Sequence, residues 1–570
     1  MSTNDPYTST RLRHAALSWL GDDPDPETRS ELASLLARGD MAGLLELFSE
    51  PLVFGTAGLR GPLGPGPARM NRAVVGRTAI GLARFLTQNS AKPVVVIGFD
   101  ARRNSERFAR DTAELMQGQG VTALLLPRAL PTPVLAFAVR HLQADAGVMV
   151  TASHNPAGDN GYKVYLGGSG LGAQIAPPFD AFILDEVNKV DGLLDAPRSD
   201  AYTVLDESVI DAYLTRVHTL VPNGPRDLTV VYTPLHGVGG HTFSRVLDAA
   251  GFHDVHLVSE QYEPDATFPT APRPNPEEPG TLDLAQALAA RLGADIIVAS
   301  DPDADRLAVV IPINLSRTRW RRLTGDEVGA LLAAFLLEEG MLGDGPLVST
   351  VVSSTLLGRI AEYHGRTHAR TLTGFKWICR VPDMSFGYEE ALGYCLDPLA
   401  VRDKDGLSAA LVMLHAVASW QSRGQSVQNR LDELARRFGA YHTAQRTVPI
   451  ASPTESIALI ERLLAEPLLL DGAMVSAQDM RLSEPAFDGV RFTLANGAWL
   501  LVRPSGTEPK VKIYVEVVQP VVTQGAWQAA EQSAKQAAEQ AAEQSAERAA
   551  GLLDELVSHI RLDRVDKVTA

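Results

Sequence analysis

The feature that most restricts the fold of this chain is a recurring alternation. A short, wholly apolar run is followed by a helix-patterned run, and then by another apolar run. PVVVIGFD (Pro93–Asp100), VTALLL (Val121–Leu126) and AGVMVT (Ala146–Thr151) are separated by SERFARDTAELMQGQG and PTPVLAFAVRHL. Apolar runs this short, without polar alternation, read as strands buried on both faces. Helices between them imply parallel sheets built from βαβ units. The pattern returns with DLTVVYTPLHG, VHLVSEQ and ADIIVAS. It returns again with DEVGALLAAFLLEEG, PLVSTVVSS, TLLGRIAEYHG and RTHARTLTGFKW. At 570 residues the chain has room for about three or four domains.

Other segments break the pattern. Residues 10–50, around DDPDPETRSE, read as two short amphipathic helices forming an N-terminal extension. FGTAGLRGPLGPGP, from Phe54 to Pro67, is rich in Gly and Pro and reads as a loop carrying Arg60. A last region begins near Arg446, and within it RFTLANGAWLLVRPSGTEPKVKIYVEVV (Arg491–Val518) reads as antiparallel strands. Residues 526–550 are low in complexity and strongly helix-forming. Their apolar positions are mostly Ala, so a long surface helix is expected rather than a coiled-coil seam. The boundaries drawn are 1–50 for the extension and 51–205, 206–323 and 324–445 for three α/β domains. Residues 446–570 form a C-terminal α+β domain.

Composition excludes some functions. Lys and Arg total 52 against 68 Asp and Glu, a net charge of −16. A general nucleic-acid binder shows a basic footprint, and an acidic balance disfavours anionic membranes. Two cysteines, Cys379 and Cys395, make neither a disulfide framework nor a zinc site, so a reducing compartment is expected. There is no secretory signal pattern and no run of about 18 apolar residues. The expected location is the cytoplasm.

In open α/β sheets, ligands bind beyond the carboxyl ends of the strands, and the chemistry-bearing motifs sit there. TASHNP (Thr151–Pro156), running on to Tyr165, puts Ser153 at a strand end, with His154 and Lys163 as base or charge stabiliser. A serine there can be a nucleophile or a phosphate carrier. A turn that caps and redirects the chain would use the same residues. The G-x-S-x-G elbow of acyl hydrolases is absent. DPDADR follows ADIIVAS and offers Asp301, Asp303 and Asp305 at alternate positions, able to converge on one hard divalent cation. It is not an EF-hand, because its sixth position is Arg306 and its twelfth Pro312. GYEEALGY carries Glu389 and Glu390, which can bind hydroxyls or simply start a solvated helix. RPSGTEPKVK offers Arg503, Ser505, Gly506, Thr507 and Lys510 as a phosphate cradle, or a hairpin loop. GFKW can add Lys376. GSGLGA (Gly168–Ala173) matches a dinucleotide fingerprint only formally, since Pro177 and Pro178 interrupt the helix it needs. No GxxxxGK[ST] is present.

TASHNP, DPDADR and RPSGTEPK in this order, with FGTAGLRG and TPLHGVGG, resemble the α-D-phosphohexomutase superfamily. The likeness is to its long phosphoglucomutase/phosphomannomutase branch, which includes phosphopentomutase-like members, and runs from about Phe54 to Glu516. It implies three related α/β domains plus a C-terminal α+β domain around a central active-site cleft. It also implies Mg²⁺ and glucose 1,6-bisphosphate as activator. By resemblance Ser153 is the phosphoserine, and with Asp301, Asp303 and Asp305 it completes the metal shell. Arg60, His154, Lys163 and Arg306 match catalytic positions. Glu389 matches the sugar-loop glutamate, and Arg503, Ser505, Gly506 and Thr507 match the loop that grips the non-reacting phosphate. Glu390, Lys376 and Lys510 are expected to bind substrate too. Two departures stand out: Ala391 where many hexomutases have Ser, and no His of the mannose-using branch. The implied activity is phosphoglucomutase. Phosphopentomutase, phosphomannomutase and hexose 1,6-bisphosphate synthase are alternatives in the same class. A metal-dependent sugar phosphatase and a non-catalytic binder are alternatives outside it. The expected partner is a phosphorylated sugar, with no nucleic acid, no membrane and either a monomeric or a dimeric state.

Overall fold

The structure is a computed structural model that describes residues 6–54, 58–313, 316–450, 452–466, 468–471, 473–504, 510–521, 540, 543–544, 547–558 and 560. The chain forms two compact units. The first is Met1–Leu323 with Gly393–Ala418, and the second is Thr324–Leu392 with Ser419–Ala570.

The first unit opens with three helices, α1 (Pro6–Asp22), α2 (Pro26–Arg38) and α3 (Met41–Phe48), where two were expected. Gly39 adopts a left-handed conformation (φ 65°) and stops α2. Asp40 then caps α3 by accepting from Gly43 N.

The first α/β sheet is built from β1 (Leu59–Pro62), α4 (Arg72–Asn89), β2 (Val94–Phe99), α5 (Ser105–Gly118), β3 (Thr122–Leu125), α6 (Thr132–His141) and β4 (Ala146–Val150). It continues through β5 (Asp159–Leu166), β6 (Ala173–Gln174), α7 (Phe179–Asn188), β7 (Thr203–Val204) and α8 (Ser208–His218). Its strand order is β1-β5-β4-β2-β3-β7, with β6 beside β5. Strands β4, β2 and β3 are parallel, as their apolar runs predict, and the short, exposed β7 pairs parallel with β3. At the edge the sheet is mixed, because β5 and β1 run antiparallel. DNGYKVYL alternates Gly, polar and aromatic residues and forms a hairpin return from β4 rather than a crossover. Arg60 therefore lies on a strand, not in a loop. The GSGLGA segment is one 3₁₀ turn followed by β6, with no helix on it.

The second sheet uses β8 (Val230–Thr233), α9 (Gly239–Ala249), β9 (Val255–Leu257), α10 (Ser259–Tyr262), α11 (Asp283–Leu292), β10 (Ile296–Ala299), β11 (Ala308–Pro312) and β12 (Trp320–Arg322), in the order β12-β11-β10-β8-β9. Strands β10, β8 and β9 are parallel, and the β11 and β12 edge is antiparallel.

The second unit begins with α12 (Gly325–Glu338), β13 (Leu347–Thr350), α13 (Leu356–Tyr363), β14 (His368–Thr371), α14 (Phe375–Ile378) and β15 (Phe386–Glu389). β13 lies between β14 and β15, parallel to both. β16 (Gly393–Cys395) belongs to the first unit, and α15 (Gly406–Ser422) begins there. After α16 (Val427–Phe438) come β17 (Ala440–Pro449), α17 (Pro453–Ala465), β18 (Leu468–Leu470), β19 (Ala473–Asp479), β20 (Val490–Thr493), β21 (Trp499–Pro504) and β22 (Lys510–Gln519). They form an antiparallel sheet in the order β17-β22-β21-β20-β19-β18. Most of 526–550 lies outside the described residues. Its described end is helical and leads into Leu552, Leu553, Leu556, Val557 and Ile560, which are buried with Val511, Ile513 and Leu500 of the sheet. Among the described residues of 526–550 only Ala549 is buried, and the side chains that pack into the core follow the segment.

Two buried carboxylates join the sheets of the second unit. Glu516 on β22 accepts from Ser354 Oγ (2.6 Å), Thr355 N (2.8 Å) and Trp499 Nε1 (2.8 Å). Asp326 on α12 accepts from Ser354 N (2.7 Å), Tyr388 OH (2.9 Å) and Thr443 Oγ1 (2.6 Å). Among the described residues, no helix is long and apolar enough to cross a membrane.

Candidate active site

The Ser153 loop leaves the carboxyl end of β4. Ser153 is buried and left-handed (φ 54°), a conformation that costs an L-residue about 1–2 kcal/mol and persists only when its surroundings fix it. Thr151 Oγ1 accepts from Ser153 N at 2.9 Å. Arg102 does more. Its Nη2 donates to the carbonyls of Ser153 and Asn155 (2.6 Å each), and its Nη1 to those of Pro156 (2.8 Å) and Asp159 (3.2 Å). Its Nε lies 3.4 Å from Asp100 Oδ2, and its guanidinium stacks 4.9 Å from the Phe268 ring of the second domain.

The DPDADR turn leaves the carboxyl end of β10. Ala304 is left-handed (φ 55°), and Asp301, Asp303 and Asp305 are fully buried, with one oxygen of each within 4.8 Å of the others. Gly237 of the TPLHG turn lies against this loop so closely that a Cβ would meet Pro302 Cα at 2.3 Å. Asp301 Oδ2 accepts from Ser153 Oγ at 2.9 Å. Lys163 on β5 reaches Asp303 Oδ2 at 2.7 Å and Asp305 Oδ2 at 2.8 Å. Thr132 Oγ1 donates to Asp303 Oδ2 at 2.6 Å, and Lys404 Nζ lies 3.2 Å from Asp305 Oδ2. The Oδ1 atoms of Asp303 and Asp305 are buried with no hydrogen-bond partner. Two orphaned carboxylate oxygens beside a third carboxylate and a serine hydroxyl make an all-oxygen donor set. That set fits Mg²⁺, which takes few protein ligands.

The charges follow from this packing. Burial, then Asp303 and Asp305, push Asp301 well above the usual carboxylate range. Burial would also raise Asp303 and Asp305, but Lys163 and its neighbours prevail and lower both. Burial alone would depress Lys163, yet the two aspartates outweigh it and raise it. His154 Nδ1 is 3.2 Å from Ser153 Oγ, and burial with Arg306 and Arg60 nearby holds the ring well below its ordinary value. Arg306 N donates to Asp301 Oδ1 at 3.2 Å, and its Nε lies 3.8 Å from Asp301 Oδ2 and 3.9 Å from Asp305 Oδ1. Arg60 donates to Asn155 Oδ1 at 3.2 Å. Its strand closes on β5 because Gly58 has no side chain: a Cβ there would sit 1.8 Å from Tyr162 O.

The other expected substrate residues belong to the second unit. Glu389 ends β15 and is buried, and Glu390 Oε2 accepts from Thr350 Oγ1 (3.0 Å) and Ser353 Oγ (3.1 Å). Lys376 is buried on α14, with Nζ 5.1 Å from the Trp377 ring, and not a surface lysine. Arg503 on β21 stacks 5.6 Å from the Tyr514 ring and donates to its hydroxyl at 3.3 Å. Burial pushes Tyr514 up to about 12. Arg503 opposes this, while Glu390 and Glu389 add to it, so these residues share one neighbourhood. Lys510 begins β22 opposite Pro449. Ser505, Gly506 and Thr507 lie outside the described residues.

Sequence reasoning missed Arg102, Thr132 and Lys404. It also missed the support of Lys404: Asp403 Oδ2 accepts from Tyr165 OH (2.6 Å) and Gln174 Nε2 (2.8 Å), while Lys404 Nζ lies 3.6 Å from Asp403 Oδ1. Asp100 and Arg102 stand just after PVVVIGF and Thr132 between two prolines, but no motif marks any of them.

Comparison with known proteins gives a consistent set of names. Four domain profiles match in order. Phosphoglucomutase/phosphomannomutase alpha/beta/alpha domains I, II and III match residues 51–192, 210–313 and 324–438, and the C-terminal domain matches 459–531. The chain is 45% identical over 451 residues to a Haemophilus influenzae protein named "Probable phosphomannomutase", covering 78% of this chain and 93% of that one. It is 34% identical over 570 residues to a phosphopentomutase of Homo sapiens, covering 90% and 92%. A solved phosphoglucomutase/phosphomannomutase family protein of Burkholderia thailandensis shares the fold, with a TM-score of 0.64, 21% identity and coverage of 82% and 93%.

Proposed function

This chain belongs to the phosphoglucomutase/phosphomannomutase family, and we propose that it is a phosphosugar mutase in which Ser153 carries the phosphoryl group. The observation that carries this reading is the Ser153 hydroxyl, 2.9 Å from Asp301 in a nest of three buried carboxylates. A serine held there as a phosphate ester would place its phosphoryl oxygens among Lys163, Arg306 and Arg60.

Phosphoryl transfer is catalysed mainly by positioning and charge stabilisation. The sugar hydroxyl oxygen forms a bond to phosphorus while the bond to Ser153 Oγ breaks. The hydroxyl proton passes to a nearby base, for which His154 and Lys163 are the candidates, a proton is delivered to the departing Ser153 Oγ, and both transfers reverse in the second half. The product is a sugar bisphosphate. It turns around, and its other phosphate ester bond breaks as phosphorus returns to Ser153 Oγ. Ser153, Asp301, Asp303 and Asp305 would hold a Mg²⁺ ion, which would supply Lewis-acid withdrawal of charge from the phosphoryl oxygens when bound. Arg503, Ser505, Gly506, Thr507, Lys510 and Lys376 are assigned to the non-reacting phosphate, and Glu389 with Glu390 to the sugar hydroxyls. Glucose 1,6-bisphosphate is the proposed primer.

We take glucose 1-phosphate and glucose 6-phosphate as the substrate pair. The missing mannose-branch His favours glucose over mannose. A second reading, pentose phosphates, is favoured by Ala391 in the sugar loop and by the human phosphopentomutase relative. A coupled assay over glucose, mannose, ribose and deoxyribose 1-phosphates decides between them. Ser153→Ala is expected to abolish turnover, and intact mass should show one phosphate on the wild type and none on the variant. Wild-type turnover in the variant rejects the mechanism, and stoichiometric phosphate release from substrate indicates a phosphatase instead.

A further inference from the structure

Asp303 lies in the second domain, but one of its carboxylate oxygens is held from the first. Thr132 is the first residue of α6, and it touches Asp303 twice: Thr132 N donates to Asp303 O at 2.9 Å and Thr132 Oγ1 to Asp303 Oδ2 at 2.6 Å. Both Thr132 and Asp303 are fully buried, so water cannot replace the hydroxyl. Lys163 Nζ approaches the same Oδ2 at 2.7 Å. The other oxygen, Oδ1, is buried and has no partner.

We propose that Thr132 is a positioning residue for the divalent cation: its hydroxyl fixes the plane of the Asp303 carboxylate, so that the oxygen it does not hold stays aimed at the metal. This rests on the cation reading of the aspartate triad given above. The physical case has three parts. A carboxylate rotates about its last bond in a broad potential, so packing alone leaves the plane of the group, and the aim of its free oxygen, loosely set. Two donors converging on Oδ2 remove that freedom before the ion arrives. The positive end of α6 adds a field favouring the ionised carboxylate. Lys163 cannot do this alone, because it is divided between Asp303 and Asp305. The bond also ties the metal loop of one domain to the helix start of another, so the donor set depends on both.

The test is Mn²⁺ binding to the full chain, followed by electron paramagnetic resonance, for wild type, Thr132→Val, Thr132→Ser and Asp303→Asn. Removing the partner that orients a metal ligand typically weakens binding about 10- to 100-fold. Thr132→Val, which matches threonine in shape, is expected to weaken Mn²⁺ by that factor. Thr132→Ser restores the hydroxyl and is expected to bind like wild type. Turnover of Thr132→Val should recover as Mg²⁺ is raised, which a misfolded site would not do. Equal Mn²⁺ affinity in wild type and Thr132→Val overturns the proposal and leaves the triad reading intact. Wild-type Mn²⁺ binding that Asp303→Asn does not diminish overturns the triad reading, and this proposal with it.

Discussion

Arg102 gives nearly its whole guanidinium to the backbone that presents Ser153, with Asp100 beneath it at about 1% exposure. Arg102→Ala would leave that carboxylate buried and unpaired, a loss of about 3–5 kcal/mol. We expect a correspondingly lower urea midpoint and a large fall in turnover, with Arg102→Lys intermediate. An unchanged midpoint would refute the role. Asp326 makes a different prediction. Burial lifts it from 3.8 to about 7 in the fold, against its three donors and with Glu390 adding to the rise. A carboxyl raised on folding stabilises the protein while protonated, and that contribution fades as pH climbs from about 4 to about 7, by about 4 kcal/mol at most. Asp326→Asn should flatten this descent, and parallel stability–pH curves for the two proteins would contradict it. At this scale the sequence was readable where partners are near neighbours. Ser153 with His154, and the three alternate aspartates, announce themselves in single motifs. Thr132 does not, because its partner lies 171 residues away. Lys404 and Arg102 are as silent, each being an ordinary cation until the fold places it.

Among the elements, the helix described over 547–558 has the clearest test. Leu552, Leu553, Leu556 and Val557 are buried in the core of the last sheet. Fully buried side chains of this size contribute about 1.5–3 kcal/mol each. A chain ended before residue 547 should therefore show rapid hydrogen exchange in β18–β22, measured by mass spectrometry. Protection equal to the full chain would mean the helix is dispensable. The repetitive segment before it gave no hint of this, since alanines specify a helix but not where it packs. The parallel strands were legible because their apolar runs are unbroken. The antiparallel β5 was not, because DNGYKVYL has neither an unbroken run nor strict alternation. Yet β5 places Lys163 opposite Met149 and so beside the aspartates.

For the molecule as a whole, Ser153 and the proposed cation ligands come from two sheets of one unit. A ligand bound only by the folded state at a hundred times its dissociation constant stabilises by about 2.7 kcal/mol. Saturating Mg²⁺ should raise the melting temperature accordingly, EDTA should reverse it, and Asp303→Asn should abolish it. An identical shift in that variant would place the ion elsewhere. The net charge of −16 argued against nucleic acid but gave no sign of the cations Lys163, Lys404, Arg306 and Arg60 gathered near three aspartates. Multiple domains were legible from length and repetition. The return of residues 393–418 to the first unit was not, because no composition change marks it. That return sets a timetable for synthesis. The ribosome finishes residue 323 while Tyr165 and Gln174 still lack Asp403, and Asp305 still lacks Lys404. Roughly a hundred more residues must emerge first, about 5–20 s at ordinary elongation rates. The nascent first unit must therefore wait with its most highly charged interior incomplete, a window in which a chaperone or a bound cation would matter most.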